Sequence, residues 1–289
     1  MSESDLPFTG ERFIPSCERE IWYEHYHRYA MAMDWIKGRK VLDAACGEGY
    51  GSHLMASQAA AVVGVDVDPE AIAHANKHYR AENLSFQQAD ALNMDFPDHS
   101  FDVVVSFETL EHLAAHDDLL NSFKRVLKPE GVLIISTPDK KEYSDNTGFD
   151  NEFHVKELYQ HEMESLMTGH FKHLSWYGQK LMFTSAIWQL GGAPESMRFD
   201  CMSTDNQLHD KPMFNPMYFI VVASDQPIQG GVDYYEFTEQ AEQVYGHYHA
   251  VIRAHIKAEQ AQLKLEKQQQ SWLQHPIIGR CIKWFGKED

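Results

Sequence analysis

An apolar run that ends in a glycine-rich turn constrains this chain more than any other feature. In Lys40-Val-Leu-Asp-Ala-Ala-Cys-Gly-Glu-Gly-Tyr-Gly51, Val41 and Leu42 lead into Asp43, and Gly47, Gly49 and Gly51 follow. A helix is expected from about Ser52 to Ser57. A strand that stops at such a turn and feeds a helix lets backbone amides approach a small ligand, because glycine carries no Cβ. About twenty residues on, a second apolar strand, Ala61-Val-Val-Gly-Val65, ends in Asp66. An acidic side chain at that place can accept from both hydroxyls of a ribose. The two strand ends point to a nucleoside-containing ligand at the switch point of an open α/β sheet.

The rest of the pattern agrees with such a sheet. Helical and strand-like stretches alternate: helix Ile21–Ile36, strand Lys40–Asp43, strand Ala61–Asp66, helix Pro69–Tyr79, strand Leu84–Gln88, strand Phe101–Ser106, helix His116–Val126, a turn at Lys128–Gly131, strand Val132–Ser136, helix Val155–Thr168, strand His173–Gln179 and a β-rich run Tyr218–Ala223. The expected fold class is α/β: a Rossmann-like, doubly wound, mostly parallel seven-stranded sheet. Thr184–Pro216, rich in Gly, Pro, Asp, Asn and Met, reads as an inserted loop or lid. The expected organisation is one domain over residues 1–228, with a leader and helix over 1–38, and a helical tail over 229–289.

Composition narrows the classes of partner. With 43% hydrophobic residues a full core can form, and no apolar run reaches the roughly 18 residues of a membrane span. The net charge of −18 leaves no visible basic patch, which argues against nucleic acid as substrate. Met1–Phe8 is polar and acidic, unlike a signal peptide, so a cytoplasmic location is expected, with peripheral contact at the inner face of a membrane as an option. Cys17, Cys46, Cys201 and Cys281 lie far apart, and no CxxC pair suggests a disulfide framework or a zinc knuckle.

Five segments together resemble the class I S-adenosylmethionine-dependent methyltransferases. They are Val41–Gly49, Gly64–Glu70, Gln88–Ala91, Ser100–Ser106 with Glu108–Leu113, and Leu127–Leu133. The glycine turn has the order GxGxG and not the GxGxxG of nicotinamide enzymes. The leader, Phe8–Pro15 with Ile21–Tyr29, resembles a subgroup associated with bacterial surface-polysaccharide biosynthesis. The resemblance implies S-adenosylmethionine as cofactor. Asp43 and the turn Ala45–Gly47 would hold its ammonium group, Gly47 and Gly49 would permit close approach, and Asp66 would take the ribose. Asp90 and the Ala91 amide would read the adenine, with Val67 and Phe107 completing the set. Arg28 would pair with the cofactor carboxylate, and Tyr23 and Tyr26 could wall the pocket or simply pack in the core. Strand-end caps are the alternative roles for Asp66 and Asp90.

The acceptor implied is a small molecule or a glycan, methylated on oxygen. The runner-up is a quinone or lipid-precursor acceptor; a non-catalytic scaffold of an assembly complex is the third reading. An acceptor hydroxyl needs a base. His154, His112 and Glu111 are the catalytic candidates, and histidine titrates near neutrality. His154 precedes the helix expected from Val155, where capping is its alternative role. Glu108, Glu111 and His112 could instead gather a divalent cation such as magnesium, but Glu111 orienting His112 is preferred and no metal is expected. Glu236–Gln274 predicts a long helix whose stripe, Val244, Tyr248, Val251, Ile252, Ile256, Leu263 and Leu265, loses heptad order after Ile256. That disfavours a long free coiled coil and leaves self-association or docking on an assembly partner, with the basic Ile277–Phe285 tip at most touching a membrane.

Overall fold

A computed structural model of the protein describes residues 20–185, 187, 190, 199–211, 214–238 and 243–274. The leader Phe8–Pro15, the tip Ile277–Phe285 and part of the inserted loop lie outside the described residues. The chain forms two compact units, residues 1–237 and 238–289.

The larger unit is the expected sheet. Its strands are β1 (Lys40–Ala44), β2 (Ala61–Asp66), β3 (Leu84–Gln88), β4 (Phe101–Phe107), β5 (Leu127–Pro138), β6 (His173–Gln179) and β9 (Tyr218–Ser224). They lie in the order β3-β2-β1-β4-β5-β9-β6. β9 runs antiparallel to both its neighbours, and the other pairs are parallel. A small hairpin of β7 (Cys201–Met202) and β8 (Leu208–His209) lies within the inserted segment.

The alternation of side chains along the central strands builds two cores. Leu42, Val104, Leu133, Ile135 and Val221 face one way, with Leu119, Leu120 and Phe123 of α4 (His116–Val126) and Met163 and Met167 of α5 (Gln160–His170). Val41, Val103, Val105, Ile134 and Val222 face the other, under Tyr29, Ala32 and Trp35 of α1 (Glu20–Ile36) and Met55 of α2 (Tyr50–Ala56). Successive strand residues therefore serve opposite layers, and strands buried on both faces read as apolar runs. α3 (Pro69–His78) completes the β2–β3 crossover, opened by Asp68, whose carboxylate accepts from Glu70 N at 2.8 Å.

Two boundaries in this unit differ from the sequence expectation by more than two residues. β5 begins at Leu127, which pairs with Phe101, while Val132 pairs with Val103; Lys128–Gly131 is an excursion inside a strand. Helix α5 begins at Gln160 and not at Val155. The amides of Val155 and Lys156 bond to Glu111 O at 2.8 and 3.0 Å, and Leu158 bridges to Asp139, which holds residues 155–158 extended against the turn after β4. The helix starts only where Glu162 reaches back to Tyr159 N at 2.9 Å.

The smaller unit contains α6 (Gln243–Gln274). Val251, Ile252, Ile256, Leu263 and Leu265 are each about half exposed. Glu259 and Gln260 stand where a heptad continuing from Ile256 needs apolar residues, so no coiled-coil repeat is present. Among the described residues no helix is long and apolar enough to cross a membrane.

Candidate active site

Parallel pairing brings the carboxyl ends of β1, β2, β3 and β4 to one edge of the sheet, where a cleft of about 390 Å³ opens. Ala45 and Gly47 come from the turn after β1, Asp66 and Val67 from the end of β2, Asp90 and Ala91 from the turn after β3, and Phe107 to Thr109 from the end of β4. These include most of the residues singled out as cofactor contacts. The turn after β1 is left-handed at three places, freely at Gly47 (φ 57°) and Gly49 (97°) and at some cost at Ala45 (61°).

Asp66 is 8% exposed and already oriented. One carboxylate oxygen accepts from Gly47 N and the other from Asp68 N, each at 2.9 Å. These two bonds fix the carboxylate where it lines the cleft. Asp90 is exposed, and its carboxylate closes a turn by accepting from Leu92 N at 2.9 Å. Val67, 66% exposed, offers an apolar face to the cleft.

Three expected contacts stand behind the wall. Asp43 is fully buried and is not among the cleft residues. Its carboxylate accepts from Ser52 Oγ at 2.6 Å and from Tyr29 Oη at 3.3 Å, and burial, opposed by those two bonds, lifts its pKa to about 7. It braces the floor beneath the glycine turn. Gly49 serves packing: a Cβ there would come within 2.8 Å of the Ala75 Cβ and the Phe86 ring. Arg28, 1% exposed, lies over the Tyr218 ring, donates to Gln179 Oε1 at 2.9 Å and pairs with Glu108 Oε1 at 3.4 Å. It lines a second cavity of about 320 Å³ walled by Trp176, Tyr177 and Tyr235, and its ion pair with Glu108 links it to the first cleft.

Helix α1 does face the cleft, but through His25 and Tyr29 and not through Tyr23 and Tyr26. His25 and Tyr29 are four apart and share a helix face with the buried Ala32 and Ile36. That period was the available signal. His25 Nδ1 lies 3.2 Å from Tyr50 Oη, and burial, aided by the Arg28 charge, lowers its pKa so that the imidazole is neutral.

After β4 the chain turns sharply, with Glu108 at φ 50°, into a short 3₁₀ turn over Leu110–His112. Glu108 Oε1 accepts from Ser136 Oγ at 2.6 Å. Glu111, 1% exposed, accepts from Thr137 Oγ1 at 2.9 Å, and burial together with the Glu108 charge raises its pKa well above the usual carboxylate range. His112 lines the cleft and its Nδ1 meets Phe153 O at 2.9 Å. His154 is not among the cleft residues. Its Nδ1 meets Glu157 Oε1 at 2.5 Å, its Nε2 lies 3.0 Å from Asn151 Nδ2, and its ring stacks on Tyr143. The two imidazoles meet edge to face with centroids 5.2 Å apart. The three catalytic candidates, Glu111, His112 and His154, are thus brought together, and one ligand atom from each lies within 4.8 Å of the others.

Comparison with known proteins adds to this geometry. A family model described as "Methyltransferase domain" matches residues 36–214. Over 167 residues the chain is 36% identical to a "Probable S-adenosylmethionine-dependent methyltransferase" of Mycolicibacterium smegmatis, a match over 57% of this chain and 64% of that protein. Over 107 residues it is 37% identical to a ubiquinone biosynthesis O-methyltransferase of Actinobacillus pleuropneumoniae serotype 5b, over 35% of this chain and 46% of that one. The chain therefore spans less than two thirds of the length of these curated relatives. A solved structure of a Pyrococcus horikoshii OT3 protein shares the fold, with a TM-score of 0.52 at 20% identity over 70% of this chain and 92% of that chain.

Proposed function

Because the chain belongs to the methyltransferase-domain family, we propose that it moves a methyl group from S-adenosylmethionine to an oxygen of a small-molecule or glycan acceptor. The observation that carries this reading is the single cleft into which Gly47, Asp66, Asp90 and Phe107 converge from four strand ends. Asp66, whose two oxygens Gly47 N and Asp68 N hold in place at the cleft, would accept from the ribose hydroxyls. Asp90 and Ala91 would meet the adenine edge, with Val67 and Phe107 as its apolar neighbours. The methionine end would lie along Ala45–Gly47, above Asp43.

The transfer itself is an in-line displacement. The acceptor oxygen forms a bond to the methyl carbon while the carbon–sulfur bond breaks and its electron pair stays on sulfur; the acceptor proton passes to a base. Proximity and orientation supply most of the acceleration. His112 is the base on the cleft wall, and its Nδ1–H, donated to Phe153 O, leaves the Nε2 lone pair for the proton. Arg28 acts here as a positioning residue: it fixes Glu108 from behind the wall.

The glycan reading rests on the leader's resemblance. Similarity to a ubiquinone-pathway O-methyltransferase keeps an aromatic small molecule as the second reading. Titration calorimetry with S-adenosylmethionine tests the cofactor, since a pure scaffold shows no heat. Mass spectrometry of the native surface glycan, with and without the protein, tests the acceptor. An unchanged glycan mass removes the glycan reading and leaves the small-molecule one.

A further inference from the structure

We propose that Glu111, His112 and His154 bind one divalent transition-metal ion of the zinc or manganese kind. Each offers a ligand atom, and the three atoms lie within 4.8 Å of one another. Ligands about 2.0–2.2 Å from a shared ion stand about 3–4 Å apart, so the cluster needs to contract by less than about 2 Å.

The surroundings are those of metal-binding imidazoles. A ligating histidine donates its other ring N–H to a carbonyl or carboxylate, which fixes tautomer and aim. His112 Nδ1 meets Phe153 O at 2.9 Å, and His154 Nδ1 meets Glu157 Oε1 at 2.5 Å. That puts the lone pairs on both Nε2 atoms, with the His154 one facing Asn151 Nδ2 at 3.0 Å. Glu111 is held by Thr137 Oγ1 at 2.9 Å, and its other oxygen stands 3.8 Å from His112 Nε2, too far for a hydrogen bond. A carboxyl group buried this deeply ionises only against a positive charge, which an ion would supply. Asn151 Nδ2, 3.0 Å from His154 Nε2, is the group an ion would displace.

Glu108 is not part of this cluster, and its Oε1 is engaged by Ser136 and Arg28. Two nitrogens and one oxygen suit zinc or manganese better than magnesium, which prefers an all-oxygen shell. Three protein ligands leave coordination positions open, and His112 places them toward the cleft. With an ion bound, His112 Nε2 is a ligand and no longer the base; the ion instead lowers the pKa of a coordinated acceptor hydroxyl, whose proton passes to solvent. That role rests on the proposed methyl transfer; the binding itself does not.

The test uses the full chain, stripped with chelator and dialysed. Titration with zinc chloride and with manganese chloride should give one tight ion per chain, and magnesium chloride at the same concentration should not displace it. Glu111→Gln and His154→Ala should each weaken binding at least 10-fold, while His170→Ala, at the end of α5 and paired with Asp117, leaves it unchanged. A stripped sample titrated with S-adenosylhomocysteine serves as the separate check on the cofactor cleft. Should either cluster variant not fold by circular dichroism, loss of the cobalt(II) ligand-field spectrum in His112→Gln takes its place. Zinc binding that is equal in all variants, or absent while S-adenosylhomocysteine still binds, overturns the metal site and leaves the methyl-transfer reading standing.

Discussion

Asp66 and Asp43 are acidic residues at neighbouring strand ends, yet their settings differ, and so do their expected phenotypes. Asp66 has both oxygens anchored at the cleft wall. Asp66→Ala removes two acceptors for ribose and leaves those hydroxyls unpaired in a closed site. We expect S-adenosylmethionine affinity to fall about 30- to 150-fold, or about 2–3 kcal/mol, by calorimetry. Unchanged affinity would show that β2 does not carry the ribose contact. Asp43 sits in the floor with its pKa lifted from 3.8 to about 7. A raised carboxyl pKa means the folded state holds a proton that the unfolded state releases above about pH 4. Its neutral form favours the fold, and stability is lost as pH rises from about 4 to about 7. Asp43→Asn should remove that part of the slope, with an upper bound on the order of 4 kcal/mol. Urea denaturation of both proteins at pH 4.5 and pH 8, chosen as roughly the two ends of that window, measures it. Parallel pH dependences would assign the titration elsewhere. Spacing in the sequence located both residues but could not tell floor from wall, because depth depends on Tyr29 and Ser52, which reach Asp43 from α1 and α2. Gly49 taught the same lesson: its glycine was legible, but the neighbour that demands it, Phe86, lies on another strand.

At the scale of elements, the strands and α1, α3 and α4 were legible because each carries its own apolar period, and α3 also its Asp68 cap. α4 is the plainest case, with Leu119, Leu120 and Phe123 fully buried on one side. Phe123→Ala should cost about 3–5 kcal/mol through the cavity it leaves, measured by thermal or urea unfolding. A cost below about 1 kcal/mol would mean the layer collapses to fill it. The start of α5 was not legible. Nothing local forbids helix at Val155–Tyr159; the amides there are taken by Glu111 O, a long-range bond that a sequence window does not contain. That same bond ties the segment after Phe153 to the turn after β4, which is how His154 arrives beside His112. The two histidines therefore belong to one centre, and His112→Ala and His154→Ala should each lower kcat on the order of 100-fold while cofactor affinity stays within a few-fold. A crippled His112→Ala beside a fully active His154→Ala would confine the chemistry to the cleft wall.

For the whole molecule, the boundary between the two compact units decides where the catalytic part ends. Composition breaks at Gly230-Gly231, and a cut there looks natural from the sequence. The structure argues for a later one. Tyr235 Oη accepts from Val232 N at 3.1 Å and also engages Asp34, Gly231 packs on Trp35, and the Phe237 ring stacks with His27 and lies 5.6 Å from Trp22. Residues 231–237 thus close the outer side of α1, the helix that presents His25 and Tyr29 to the cleft. A chain cut after Gly231 exposes Trp22 and Trp35 and should lose stability and cofactor affinity together. A chain cut after Phe237 keeps every one of these contacts. It should bind S-adenosylmethionine within about twofold of the full chain, a difference of less than about 0.5 kcal/mol, and unfold at the same urea midpoint. Light scattering of the same two samples reports whether α6, with Ile252, Ile256 and Leu263 about half exposed, joins copies of the chain: a fall in mass per assembly on removal of residues 238–289 assigns it that role, and an unchanged number of copies withdraws it. If the Phe237 cut fails to fold, α6 is part of the catalytic core and the two units are not separable.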